Sequence, residues 1–98
     1  MKFEFASKKL ERLYVESEFS AGFGSDVVRA FRKVMQLISA ARDERDLRQF
    51  KSRRFEKLKG ERAHQHSLRL NDQWRLIVEV RKDADGNVIL VVDIEDYH

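Results

Sequence analysis

The hydrophobic positions change period once along the chain, and that change divides it into two halves. Lys2-Phe3-Glu4-Phe5-Ala6 alternates polar and aromatic residues, which predicts a short first strand. From Lys8 to Phe19 the spacing is helical, with Leu10, Leu13 and Tyr14 on one face and Ser7 as the N-cap. Ser20-Ala21-Gly22-Phe23-Gly24 breaks that helix. A second helix, capped by Ser25, is predicted to reach Ala41. Val27, Phe31, Val34, Met35 and Ile38 form its apolar stripe, and Arg29, Arg32 and Lys33 face out. Two amphipathic helices joined by a short glycine-containing loop make an αα-hairpin. The stripe reads as core.

From Phe55 the period is two. Phe55 to Leu58 reads as an edge segment ending at Gly60, and His66 to Leu70 as a strand. Asn71-Asp72 is a turn signal, and Gln73 to Arg81 is the next strand. On that strand Trp74, Leu76, Val78 and Val80 share one face, and Arg75, Ile77, Glu79 and Arg81 share the other. Asp83-Ala84-Asp85-Gly86-Asn87 reads as a hairpin turn rather than a calcium loop, because its glycine is misplaced and no downstream glutamate completes the set. Val88 to Ile94 is almost wholly apolar, which predicts a central strand covered on both sides. Arg42 to Arg54 is dense in charge and poor in apolar residues. It reads as a linker in which Leu47 and Phe50 anchor one last helical turn. The expected fold is α+β, a twisted antiparallel sheet with an N-terminal strand and two helices packed on one face.

Size and charge narrow the function. The 98 residues allow one domain, 1–98. The net charge is only +3, but it is unevenly spread. Lys51 to Arg75 holds eight Lys and Arg against three acids, so the rest of the chain is net acidic. A basic segment of this kind is the footprint expected for a polyanion. With no cysteine, disulfides and thiolate metal sites are excluded. His64 and His66 have no third ligand at a telling spacing and read as surface histidines, so no metal and no cofactor is expected. There is no glycine-rich phosphate loop. No apolar run approaches the ~20 residues of a membrane span, and Met1-Lys2-Phe3-Glu4-Phe5 does not resemble a signal peptide. A cytoplasmic protein with no membrane partner is expected.

The candidate chemistry lies between Leu58 and Arg75 and in the last three residues. Lys59, Arg62, Arg69 and Arg75 are cations suited to phosphate oxygens, with Arg54 and Lys57 nearby in the same basic window. His98 is the side chain whose ordinary pKa best suits proton transfer near neutrality. Trp74 is suited to stacking on a base, but on an alternating strand it reads better as core.

Leu58-Lys59-Gly60, Ser67-Leu68-Arg69-Leu70-Asn71, Gln73-Trp74-Arg75 and the terminal Asp96-Tyr97-His98 together resemble the HigB-type killer toxins of the RelE superfamily. The match runs from Arg54 to His98. The resemblance implies a RelE-like fold and a metal-free endoribonuclease that cuts mRNA on the translating ribosome. It implies neutralisation by a HigA-type helix-turn-helix antitoxin, with operator DNA reached only through that antitoxin. On the same basis His98 transfers the proton, Arg75 and Lys59 stabilise charge at the scissile phosphate, Tyr97 supports the histidine and Asp96 orients its neighbours. Arg54, Lys57, Arg62 and Arg69 would hold RNA. Some members carry an arginine where this chain has Asn71, and a histidine where it has Glu56. Arg69, on the same strand face as Arg75, is the available stand-in, and the general base stays open. Two other functions compete: a basic RNA- or ribosome-binding module without catalysis, and a degenerate toxin that serves as an antitoxin-binding co-repressor.

Overall fold

The computed structural model describes residues 1–96. Its elements are β1 (Lys2–Phe5), α1 (Lys8–Val15), α2 (Ser25–Ala40), α3 (Glu44–Gln49), β2 (Glu56–Lys57), β3 (His66–Arg69), β4 (Trp74–Asp83) and β5 (Gly86–Asp96). The sheet order is β1-β5-β4-β3-β2. β2 to β5 pair antiparallel, as their alternating pattern predicts, but β1 runs parallel to β5, with Phe3 opposite Ile89. The sheet is therefore mixed. A parallel neighbour needs a crossover, and the helical segment between β1 and the later strands supplies one.

One face of the sheet is the core. Leu10 and Leu13 of α1 and Phe31, Val34, Met35 and Ile38 of α2 are fully buried there, with Leu68, Leu76, Val78, Ile89, Val91 and Ile94 from the strands. Val91 and Ile94 are three apart, yet both belong to this cluster. A β-bulge reconciles them. Ile77 pairs with Asp93 and Val78 with Val91, so Val92 is an extra residue that shifts the side-chain parity. The bulge also corrects the expectation that β5 is covered on both sides. Its helix-side residues are buried, whereas Leu90, Val92 and Asp93 are only half-buried on the other face.

The helices depart from expectation in three places. Ser7 does cap α1, its Oγ accepting from the Leu10 amide at 3.3 Å, but the helix stops at Val15 rather than Phe19. Arg32 explains the early end. It does not face out: its guanidinium donates to the carbonyls of Leu13 (3.1 Å), Glu16 (2.8 Å) and Phe19 (3.3 Å), replacing the partners that continued helix would offer. Gly24, not Ser25, is the N-cap of α2. The charge-dense segment after Ala41 is not a linker. Asp43 caps α3, its carboxylate accepting from the Arg45 amide at 2.9 Å. Its pKa is lowered to about 2, first by the Arg45 side chain and then by the same amide. Leu47 buries fully, and Arg42–Asp46 and Glu44–Arg48 add i,i+4 ion pairs. A 3-10 turn, Lys51–Arg53, follows directly.

The hairpin expected at Asp83–Asn87 connects β4 to β5. The Asp83 carboxylate accepts from the Asp85 amide at 2.9 Å and pairs with Lys2 on β1. Trp74 packs as core, edge-to-face on Phe23 with centroids 5.4 Å apart.

Candidate RNA-binding face

The other face of the sheet carries the cations. Alternation along β4 sends Leu76 to the helices and Arg75 the opposite way. Arg69 on β3 and Glu95 on β5 stand directly across from Arg75, so the row reads Arg69–Arg75–Glu95. Two arginines in register repel, at a cost of up to about 1 kcal/mol. Arg75 is also only 8% exposed. A charged side chain held that deep on a strand is a departure from the hydrophobic pattern, and such departures are expected at functional sites.

The Lys51–Arg53 turn closes the site from one side. Lys51, Ser52, Arg54, Arg69, Asp72 and Arg75 line a groove of about 520 Å³. Four of these six are cations and one is an acid. Asp72 pairs with Arg69 at the groove mouth, where its own side chain is 98% exposed. Water screens such a pair, so it costs little to exchange for a phosphate. Arg54 sits in the left-handed region, at φ 46°, which ends the 3-10 turn and redirects the chain into β2.

The β3–β4 turn sets the spacing between Arg69 and Arg75. Asn71 Oδ1 accepts from the amides of Gln73 (2.9 Å) and Trp74 (2.7 Å), an Asx turn. Its Nδ2 donates to Asp26 at the start of α2, 2.9 Å away. Asn71 is thus a turn-forming residue.

The expected site residues divide into three groups. Arg54, Arg69 and Arg75 meet in the groove. Lys57 lies on the exposed edge strand β2, and Lys59 precedes a second 3-10 turn, Gly60–Arg62; neither lines the groove. Arg62 donates to both carboxylate oxygens of Glu95 at 2.9 Å, so this arginine first answers the acid that stands beside Arg75. Asp96 lies opposite Trp74 and accepts from Gln73 Nε2 at 3.0 Å. Tyr97 and His98 lie outside the described residues. Glu56 is opposite Ser67, on the groove side of the sheet. Lys51, Ser52 and Asp72 were not foreseen as site residues. The one signal in the sequence is the basic run through Lys51, Arg53 and Arg54, which lies in a segment whose charge density reads as a linker.

His66 is not a surface histidine. It faces the helix side opposite Val78 and stacks on Phe55, with ring centroids 4.6 Å apart and planes 5° from parallel. Burial is the main cause that lowers its pKa; Arg48 and Lys57 push the same way and Glu44 opposes them. His64 is exposed, 3.8 Å from Glu79. Among the described residues no three His, Cys, Asp or Glu cluster as metal ligands, and no helix is long and apolar enough to cross a membrane. A hollow of about 680 Å³ lies elsewhere, between the α1–α2 loop and α2.

Known proteins share this architecture. An Agrobacterium tumefaciens structure, a YoeB/ParE toxin, superposes with a TM-score of 0.62 at 17% identity, over 100% of both chains, which places the fold among RelE-like toxins. Toxin HigB-1 of Vibrio cholerae serotype O1 is 34% identical over 79 residues, 81% of this chain and 83% of that one. The family model for the RelE-like toxin of the type II toxin–antitoxin system HigB matches residues 3–98, all of the sheet but its first residue, and on that match this chain belongs to the HigB-like toxin family.

Proposed function

We propose that this toxin is an endoribonuclease that cuts mRNA on the translating ribosome and is held inactive by a HigA-type helix-turn-helix antitoxin. The observation that carries this reading is the groove itself: Arg69 and Arg75 in register across β3 and β4, with Lys51 and Arg54 brought over them from the preceding turn. Such a groove suits a chain of phosphates. Arginine holds a phosphate with two hydrogen bonds, and its charge never titrates away.

Cleavage then follows from the chemistry of RNA. The ribose 2′-oxygen loses its proton to a base and attacks the adjacent phosphorus. The bond to the 5′-oxygen breaks, and that oxygen takes up a proton from an acid. The products are a 2′,3′-cyclic phosphate and a 5′-hydroxyl. Arg75 answers the negative charge that builds on the phosphorus oxygens, assisted by Lys59 where the RNA passes the sheet edge. Arg54, Arg69 and Lys51 hold the flanking phosphates, and Arg62 extends the basic track, while Lys57, opposite His66, lies toward the helix side and off it. His98 is the proton-transfer residue, Tyr97 supports it, and Asp96, which accepts from Gln73, orients its neighbours.

The test is His98→Gln, which keeps polarity but cannot shuttle a proton near neutral pH. With purified toxin and a message on programmed ribosomes, the variant should cut about 100- to 10,000-fold more slowly. Circular dichroism and antitoxin binding should be unchanged. A folded variant that cuts at the parent rate removes His98 from the chemistry. A parent that binds ribosomes but leaves the message intact replaces the nuclease with a basic binding module. A parent that engages only the antitoxin is a co-repressor.

A further inference from the structure

Arg53 does not line the groove, yet it touches the strand that carries Arg69. Its Nη1 donates to the main-chain carbonyls of Arg69 (3.3 Å) and Leu70 (3.2 Å), and the contact is partly buried. Arg53 belongs to the 3-10 turn whose other members, Lys51 and Ser52, reach the groove, and Arg54 follows directly. Among the described residues the turn has few other hydrogen bonds. Its amides bond locally, Arg53 to the Phe50 carbonyl at 2.9 Å and Arg54 to that of Lys51 at 3.2 Å.

Lys51, Arg54, Arg69 and Arg75 carry like charges around one hollow, so electrostatics drives the turn away from the strands. A carboxylate would hold the turn but would also neutralise the site. Two carbonyls accept from a guanidinium without cancelling a full charge, and bonds of this charged kind are stronger than neutral ones. We propose that Arg53 is a positioning residue: it staples the cationic turn onto the β3–β4 turn, so that Lys51 and Arg54 face the same RNA as Arg69 and Arg75. The inference rests on the RNA-cutting reading for its consequence but not for the staple itself.

Two measurements separate those layers. Hydrogen exchange on the toxin–antitoxin complex and on free toxin reads the staple directly. In Arg53→Ala the amides of Arg53 and Arg54 should lose protection while β4 and β5 keep theirs; unchanged protection overturns the proposal whatever the toxin's activity. Kinetics on programmed ribosomes read the consequence. Arg53→Ala should raise KM with kcat nearly unchanged, and lower the slope of log KM against log salt by about two, one for each cation displaced. Arg54→Ala should then cost much less in the Arg53→Ala background than it does in the parent, because the staple has already released it. Arg53→Lys, which still donates to both carbonyls, should restore most of the slope. Additive Arg53 and Arg54 effects, or a fall in kcat alone, would show that Arg53 acts by itself and sink the staple. A parent without RNA cleavage would take away the kinetic consequence and the proposed function together, while a loss of protection would still stand for the staple.

Discussion

The two faces of the sheet come from the same strands and obey opposite rules. Toward the helices, Leu68, Leu76, Val78, Ile89, Val91 and Ile94 are nearly or fully buried, and no charged side chain interrupts them. Away from the helices, the alternate residues put Arg69 opposite Arg75 and Arg75 opposite Glu95. The first face is locally consistent: each residue supports its neighbour, and burial of each large side chain contributes roughly 1.5–3 kcal/mol. The second face puts like charges in register, with Asp72 paired to Arg69 and Arg62 paired to Glu95. The comparison also separates the two arginines. Arg75 is central and buried, whereas Arg69 is paired at the groove mouth.

The comparison can be broken hardest from the helix side. Phe31→Ala removes a fully buried ring from the middle of α2 and should destabilise the fold by about 3–5 kcal/mol in denaturant unfolding. That is a large share of the roughly 5–15 kcal/mol available to a domain. Cleavage per folded molecule should hold. A loss of specific activity in the still-folded fraction would mean that the faces are not independent.

Next in size is the same cut on the other face. Arg75→Ala should slow cleavage by roughly a hundredfold or more, the usual cost of losing a transition-state cation. Arg69→Ala should lose less, since its proposed part is to hold a flanking phosphate. Equal losses would erase the distinction between centre and mouth, and no loss for Arg75→Ala would take it out of the site.

The smallest expected effect is pH-dependent and belongs to the helix side. His66 has a lowered pKa, chiefly from burial against Phe55. The folded protein therefore binds a proton there less readily than the unfolded chain. The contribution of neutral His66 is fully present above the ordinary histidine pKa of about 6.5 and is lost as pH falls below it. His66→Phe, which keeps a ring on Phe55, should flatten the stability curve between about pH 7 and 5. A curve that falls as steeply in the variant would assign the acid sensitivity to other groups.

The element types were legible where the pattern was periodic. The α2 stripe and the β4 alternation each follow from one repeating interaction with one core, so local spacing suffices. Misreadings occurred where a distant residue decided. Arg32 from α2 ended α1, since the carbonyls it binds would otherwise have continued a helix. Leu47 anchors a helical turn as its place in the pattern suggests, but Phe50 stays exposed and the segment around Leu47 is ordered helix rather than linker. The family was legible in the motifs from Leu58 onward, and the fold class with it. The candidate site was legible only in part: Arg54, Arg69 and Arg75 were named, but Lys51 and Ser52 join them through a turn bonded to a strand 16 residues on, and Asp72 through the β3–β4 turn.

By itself the sequence determined the two-face rule, because side-chain alternation along β4 is a local property that separates Leu76 from Arg75 regardless of the neighbours. It also determined the residue types suited to phosphate. Register was decided only in three dimensions. That Arg69 stands across from Arg75, that Val92 bulges so that Ile94 rejoins the core, and that β1 lies parallel to β5 all depend on long-range pairing. Such pairing is selected by the whole buried face at once, since a one-residue slip would turn every side chain to the wrong side.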